Sequence, residues 1–146
     1  MWVDEARVPA EEAPVPDAET FQYALLRAVP SLPRGEALNV GVVLYSPRHR
    51  FLDARTTLDP ERLRLLDPDL DLDAVRAHLS LIEQVAAGEP AAGPIAGLDR
   101  SERFGWITSP SSTTIQPSPV HTGLCDDPAA MLEHLYASLV APPGMA

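Results

Sequence analysis

The stretch "RGEALNVGVVLYSP", residues 34–47, contains the strongest strand signal in this chain. Its central part, "NVGVVLYS", is almost continuously apolar, which is typical of a strand that is covered on both faces. A strand-like pattern, "FQYALLRAVP" (21–30), precedes it, and another, "FLDARTT" (51–57), follows after the turn "PRHR". These patterns predict a three-stranded antiparallel meander with residues 40–45 in or near its middle.

Helical patterns follow this meander. "LDPERLRLL" begins a short helix with Asp59 as its N-cap, and "DLDAVRAHLSLIEQVAAG" predicts a longer helix that ends at Gly88. "DDPAAMLEHLYASLV" predicts a third helix, capped by Asp127. Residues 89–102 form a Pro/Gly-rich connector, and the segments 104–108 and 113–116 each fit a short strand at an edge or end of the sheet.

Because strands and helices are segregated, the predicted fold class is α+β. We expect an antiparallel sheet of about four or five strands that opens with the meander, with three helices packed against it. The length of 146 residues suits a single domain. Its predicted parts are an acidic Pro-rich mobile tail (1–20), one α+β domain (21–140) and a frayed C-terminus (141–146).

Composition excludes several classes of function. The net charge is −10, and all basic residues are arginine, since lysine is absent. This acidic balance argues against binding to nucleic acid or to anionic lipid, both of which require positive charge. Cys125 is the only cysteine, which suits a reducing compartment, and no signal peptide or spanning apolar run is present. We therefore predict a cytoplasmic protein without a membrane partner.

The polar residues of the opening stretch have two explanations. In the structural one, Gly35 supplies a turn, Arg34 and Glu36 are solvated, Asn39 bonds a neighbouring backbone group, and Gly41 allows close packing. In the functional one, Arg34 and Glu36 pair across a loop mouth, and Asn39 presents its amide to a ligand or partner. Loop charges and strand glycines usually have local causes, which favours the structural explanation.

The segment "STTIQPSPVHTG", residues 112–123, is the second candidate site. Gln116, His121 and several hydroxyls lie on a backbone stiffened by proline, and with Arg103 they could receive a phosphate or carboxylate. Alternatively, this is a surface loop whose hydroxyls bond their own turns. Trp106 is expected to cover one face of the sheet or to line the rim of a pocket.

Catalytic and metal-binding patterns are weak. A Ser118–His121–Asp126 triad would lie within one short segment, whereas the members of a triad normally come from separate elements. His121 and Cys125 make a poor metal pair, so we expect no metal site, and the absence of a Walker or G-x-G-x-x-G loop predicts no cofactor.

Two motifs together resemble a known family. "YALLRAVPSLPRGEALNVGVVLYSP", followed later by "STTIQPSPVHTGL", resembles the bacterial domain-of-unknown-function family 3037 over about residues 21–140. The resemblance implies a small protein whose gene often neighbours that of a HipA-type kinase-like protein, and hence a partner or accessory role. It implies no catalytic residue.

We therefore expect a binding or accessory protein that acts with a protein partner, with a HipA-type kinase-like protein as the candidate. The alternative is a small enzyme acting on a phosphorylated or carboxylated molecule, with His121 as general acid/base. The oligomeric state is left open. Both functions require the 34–41 segment and the 109–123 segment to meet in space, and the candidate residues are Arg34, Glu36, Asn39, Arg103, Trp106, Gln116 and His121.

Overall fold

The computed structural model describes residues 3–4, 18–111 and 113–142. In this part of the chain, six strands form one antiparallel sheet. They are β1 (Val3–Asp4), β2 (Glu19–Ala28), β3 (Leu38–Ser46), β4 (Phe51–Thr56), β5 (Ile115–Pro117) and β6 (His121–Cys125).

The order across the sheet is β1-β6-β2-β3-β4, and β5 pairs with the second half of β2. The predicted meander is therefore present as β2-β3-β4, with β3 between two partners. The sheet is completed by β5 and β6, which lie one after the other along the opposite side of β2. The α+β fold with an antiparallel sheet is confirmed.

Four α-helices are described, and three were predicted. They are α1 (Pro60–Leu66), α2 (Leu72–Ala87), α3 (Arg100–Ile107) and α4 (Pro128–Leu139). Each begins at an aspartate whose side chain accepts a backbone N–H of the first turn, and these caps are Asp59, Asp71, Asp99 and Asp127.

The helices cover both faces of the sheet. On one face, α1, α2 and α3 pack on a cluster that includes Leu26, Val43 and Leu79. On the other, α4 packs through Leu132 and Leu135. This two-sided burial explains the unbroken apolar run of β3, because alternate side chains enter different cores. The two faces are called the α2 face and the α4 face below.

A β-bulge lies at the beginning of β3. Leu26 of β2 is opposite Gly41 and Arg27 is opposite Asn39, so Val40 is an extra residue on β3. A Cβ placed on Gly41 would lie 2.9 Å from Thr56 Cγ2, 3.1 Å from Leu26 Cδ1 and 3.2 Å from the Arg55 carbonyl oxygen. The glycine therefore makes room for neighbouring strands, which is the structural explanation of this residue.

Two local predictions were wrong. The segment 104–108 was predicted as a strand, but it belongs to α3, which begins after the Asp99 cap and ends at Ile107. Residues 121–123 were predicted as part of a loop, but they begin β6. In addition, the predicted 89–102 connector contains two short 3-10 turns, Pro90–Ala92 and Pro94–Gly97.

The predicted terminal segments fall largely outside the described residues. Of the tail predicted over 1–20, the described Val3–Asp4 pairs with β6, and β2 already begins at Glu19. Residues 1–2, 5–17 and 143–146 are not described.

Candidate functional site

The loop before β3 is exposed and internally paired. Arg34 Nε donates to Glu36 Oε1 at 2.6 Å, and both side chains are largely solvated. This hydrogen bond to the guanidinium holds the pKa of Glu36 below its usual range. Gly35 between them has a φ of 71°, which a residue with a Cβ adopts only at a cost. An exposed pair of this kind contributes little to stability.

Asn39 joins the sheet to α4. Its Nδ2 donates to the Leu139 carbonyl oxygen at 3.0 Å, across one hundred residues of sequence. That carbonyl lies in the last turn of α4, where carbonyl groups lack intrahelical donors. One amide hydrogen of Asn39 is therefore bonded to a backbone carbonyl group, as the structural explanation of this residue predicts.

The two candidate segments meet through β2. Arg27 is the cross-strand partner of Asn39 on β3 and also of Gln116 on β5. Directly opposed residues of an antiparallel sheet share a face, so these three form a row across the α4 face. Sequence analysis did not single out Arg27, because only the strand pairing places it between the other two. We call Asn39, Arg27 and Gln116 the polar row.

Gln116 and Arg27 differ in their bonding. The Gln116 side-chain amide donates to the Thr113 carbonyl oxygen within its own segment. The half-buried Arg27 side chain has no hydrogen bond or ion pair in the described part of the chain. Only Arg27 in this row therefore has its full set of donors available.

Arg103 lies away from the polar row, and its side chain donates hydrogen bonds to backbone carbonyl groups. Its side chain is buried and donates to the carbonyl oxygens of Leu98 at 3.0 Å, Val85 at 3.0 Å and Ala86 at 2.8 Å. The last two carbonyls belong to the C-terminal turn of α2, where a cation also interacts favourably with the helix dipole. A buried guanidinium committed to three carbonyls has little capacity left for an external anion.

Trp106 lies at a cleft on the α2 face. The cleft has a volume of about 230 Å³ and opens between α2, α3 and the chain leading into β5. We call it the Trp106 cleft, and it is lined by Leu26, His78, Ile82, Trp106, Ile107, Ser109, Pro110, Ser111, Ile115 and Pro117. The indole is 37% exposed, which agrees with the expectation that Trp106 lines the rim of a pocket.

The lining of the Trp106 cleft is uncharged. Burial lowers the pKa of His78, so its imidazole is neutral near pH 7. Ser109 Oγ donates to the Gly105 carbonyl oxygen, and Ser111 Oγ is bonded to the Thr113 hydroxyl. The cleft thus offers an apolar floor, one aromatic wall and few free polar groups, which suits binding of an uncharged side chain.

His121 lies apart from this cleft. It is exposed on β6, and its ring centroid is 5.1 Å from that of Tyr23 on the neighbouring strand. The nearby Ser118 is buried and commits its hydroxyl to the backbone, accepting from Leu25 N–H at 2.8 Å and donating to the Pro119 carbonyl at 2.9 Å. Such a hydroxyl is poorly placed to act as a nucleophile.

Cys125 is buried and has no disulfide partner. Burial, together with the neighbouring Asp126 and Asp127, raises the pKa of this thiol to about 11. Since the thiolate is the reactive and metal-binding form, the thiol is unreactive near neutral pH. Within the described residues there is also no group of three or more His, Cys, Asp or Glu side chains arranged to hold a metal ion.

Comparison with known proteins gives one match. Residues 23–140 match the family model described as "Protein of unknown function (DUF3037)". The chain belongs to this family. No curated protein and no solved structure matches.

Membership of the DUF3037 family confirms the resemblance carried by the two motifs, both of which lie within the matched residues. Because the family is described only as one of unknown function, it assigns no role to any side chain. Among the helices of the described chain, none has the length and apolarity needed to cross a membrane. A function for this DUF3037 member therefore has to be argued from its surfaces.

Proposed function

We propose that the protein is a cytoplasmic, non-catalytic accessory protein that binds a segment of a partner protein. The observation that carries this proposal is the Trp106 cleft, in which an exposed indole stands beside an apolar floor made by Leu26, Ile82 and Ile115. Partly exposed aromatic residues beside well-packed pockets are frequent energetic centres of protein interfaces.

The size of the cleft favours a side chain over a cofactor. Its volume of about 230 Å³ is below the range of roughly 300–1,000 Å³ that is common for pockets binding drug-sized molecules. One large apolar side chain fits such a space. The neutral lining gives no reason to place a charged group inside it.

The charge next to the cleft favours a basic partner segment. Asp99 is the N-cap of α3, and Glu102 lies in its first turn, one helical turn before Trp106. A side-chain hydrogen bond with Asp99, and repulsion between the two carboxyl groups, raise the pKa of Glu102. A cation from the partner would relieve this repulsion, and the net charge of −10 would attract it from a distance.

The family context supplies the first partner to test. A HipA-type kinase-like protein is the candidate, because the resemblance to the DUF3037 family implies that genes of this family often neighbour a gene of that type. In this proposal Trp106 and its cleft receive an apolar side chain of the partner. The polar row and the Arg34 loop are a second contact surface on the other side of the sheet.

Co-expression with a HipA-type kinase-like protein, followed by co-purification and titration calorimetry, tests the proposal. Trp106→Ala should weaken the complex by about thirty-fold, as expected for a hot-spot aromatic residue. Leu65→Ala is the matched control, because Leu65 on α1 is 86% exposed and lies outside the cleft. Circular dichroism should show that both variants remain folded.

The second contact surface has its own variants. Arg34→Ala and Gln116→Ala should each weaken the complex if that surface takes part. Failure to form a complex, or equal weakening by Trp106→Ala and Leu65→Ala, would reject the Trp106 cleft as the docking site. If Arg34→Ala and Gln116→Ala both leave the affinity of the complex unchanged, the second contact surface is rejected and the Trp106 cleft is unaffected.

The enzyme alternative has less support in the geometry. A general acid/base has to lie within hydrogen-bond reach of a bound substrate. His121 is exposed, its ring lies against that of Tyr23, and it does not line the Trp106 cleft. We therefore propose that the protein binds a partner and does not use His121 as a general acid/base.

A further inference from the structure

A second cleft opens beside Asn39, between the beginning of β3, α1 and the C-terminal end of α4. Its volume is about 280 Å³. Its lining includes Asn39, Arg62 of α1 and Ser138 of α4, together with small and apolar residues of the adjoining segments. We call it the Arg62 cleft.

The arginines around Asn39 lack partners. Arg62 lines the cleft, and Arg27 lies opposite Asn39 on β2. In the part of the chain that the structure describes, they are the two half-buried arginines, and neither side chain makes a hydrogen bond or ion pair. No buried side-chain nitrogen or oxygen of the described residues lacks a hydrogen-bond partner, so the unpaired guanidinium donors of Arg27 and Arg62 face solvent and are available to a ligand.

The lack of partners is unexpected in so acidic a chain. The sequence has 21 Asp and Glu residues against 11 arginines. Asp59 caps α1 by accepting the Arg62 backbone N–H at 3.3 Å, and Glu36 is paired with Arg34. Glu61, next to Arg62 in the sequence, is exposed and makes no ion pair with it. Acidic side chains are therefore available, but they do not occupy this position.

From this geometry we propose that the Arg62 cleft binds the phosphate group of a small phosphorylated molecule. In this proposal Arg62 of the lining and Arg27, the cross-strand neighbour of Asn39, supply two positive charges and forked N–H donors. These match a doubly charged phosphate better than a singly charged carboxylate. Asn39 uses one amide hydrogen on the Leu139 carbonyl, which leaves the other as a further donor. The Ser138 hydroxyl is an additional donor at the wall of the cleft.

The end of α4 opposes this binding only weakly. A helix C-terminus carries about half a negative charge, and it is spread over several carbonyl groups. The Leu139 carbonyl is occupied by Asn39, and the Tyr136 carbonyl accepts from Val140 and Ala141 N–H. Two full positive charges outweigh the remaining partial charge. The volume leaves room for a few carbon atoms beyond the phosphate.

Titration calorimetry with inorganic phosphate tests this site. The measurement is made at about pH 7.5, where phosphate carries close to two charges, and ionic strength is held constant with chloride. Binding should saturate within about 10 mM phosphate and raise the midpoint of thermal unfolding. Arg62→Gln and Arg27→Gln should each weaken the affinity by about ten-fold or more, because each removes a charge-assisted hydrogen bond.

Arg64→Gln is the matched control. It removes the same charge from the same helix, but Arg64 is exposed and does not line the cleft. Its affinity for phosphate should change by less than about two-fold. Trp106→Ala should also bind phosphate normally, which separates this site from partner binding.

Three results would overturn the proposal. One is the absence of saturable phosphate binding by the folded protein. Another is equal weakening by Arg64→Gln and Arg62→Gln, which would indicate general electrostatic attraction. The last is equally tight binding of acetate at the same ionic strength, which would show that the site does not select a phosphate group.

Discussion

At the scale of single residues, the glycines and polar residues of the 34–41 segment have identifiable structural roles. Gly41 makes room for side chains of both neighbouring strands, and Asn39 bonds the end of α4. Gly35 adopts a positive φ in the loop. Most features of "RGEALNVGV" therefore have a structural origin, whereas Arg27 on the adjacent strand has no hydrogen bond or ion pair within the described residues.

Replacing Gly41 by alanine should destabilise the fold by about 1–3 kcal/mol. The added Cβ would be 2.9 Å from Thr56 Cγ2 and 3.2 Å from a backbone oxygen that cannot move independently of β4. Urea unfolding measures the change. Gly105→Ala is the control, since that helical glycine has nothing within 4 Å of an added Cβ. It should be neutral or stabilising by up to about 1 kcal/mol. Equal stability of the two variants would contradict this packing explanation.

At the scale of elements, capping signals predicted helices more reliably than residue composition did. The run "FGWIT" is rich in aromatic and β-branched residues, which favour strands. However, Asp99 accepts the Glu102 N–H at 2.8 Å, and the resulting N-cap starts α3. The pattern Asp-x-x-Glu before this run was the signal that could have identified the helix. No comparable local signal marks β6, which is short and depends on pairing with β2.

The connection between β5 and β6 depends on Ser118. Its hydroxyl accepts from the Leu25 N–H of β2, and its backbone N–H donates to the Leu25 carbonyl oxygen. The hydroxyl of Thr113 similarly donates to the Ile115 carbonyl of its own segment. These hydroxyls bond nearby backbone groups, which agrees with the alternative in which the 112–123 segment has a structural role.

Ser118→Ala should therefore cost about 1–3 kcal/mol, because the Leu25 N–H loses its acceptor in a partly buried position. Amide hydrogen exchange at Leu25 should become faster, and urea unfolding should shift to lower denaturant concentration. Ser101→Ala, an exposed position on α3, should change stability by less than about 0.5 kcal/mol. Unchanged exchange at Leu25 in Ser118→Ala would show that the hydroxyl is not the acceptor that matters.

At the scale of the whole molecule, the sheet separates two surfaces that the sequence treated as one. Asn39 and Gln116 lie in one row on the α4 face, as the proposed meeting of the two segments required. Trp106 instead lines a cleft on the α2 face, and Arg103 holds the end of α2. Partner binding at the Trp106 cleft and phosphate binding at the Arg62 cleft are therefore separate proposals.

Acidification should destabilise the folded chain through His78. Burial lowers the pKa of His78 in the folded state, so the unfolded chain takes up a proton there first. Its contribution is full above the unfolded value of about 6.5 and is lost as pH falls from that value towards the folded one. The raised pKa of Glu102 acts in the opposite direction near its own, lower range.

The free energy of unfolding at about pH 7.5 and 5.5 measures this effect. His78→Gln should lose less stability than the wild-type protein between these two values, whatever its absolute stability. If His78→Gln and the wild-type protein lose the same free energy, desolvation of His78 does not control stability in this range.

The sequence by itself determined the meander, three of the helices, the aspartate caps of two of them, and family membership, because these depend on local periodicity and on short motifs. Only the tertiary structure decided which polar residues meet. Arg27 became a neighbour of Asn39 and Gln116 through strand register, and Arg62 joined Asn39 because α1 and the end of α4 lie beside β3. Cross-strand pairing and helix packing join residues far apart in the chain, and no local pattern encodes such distances.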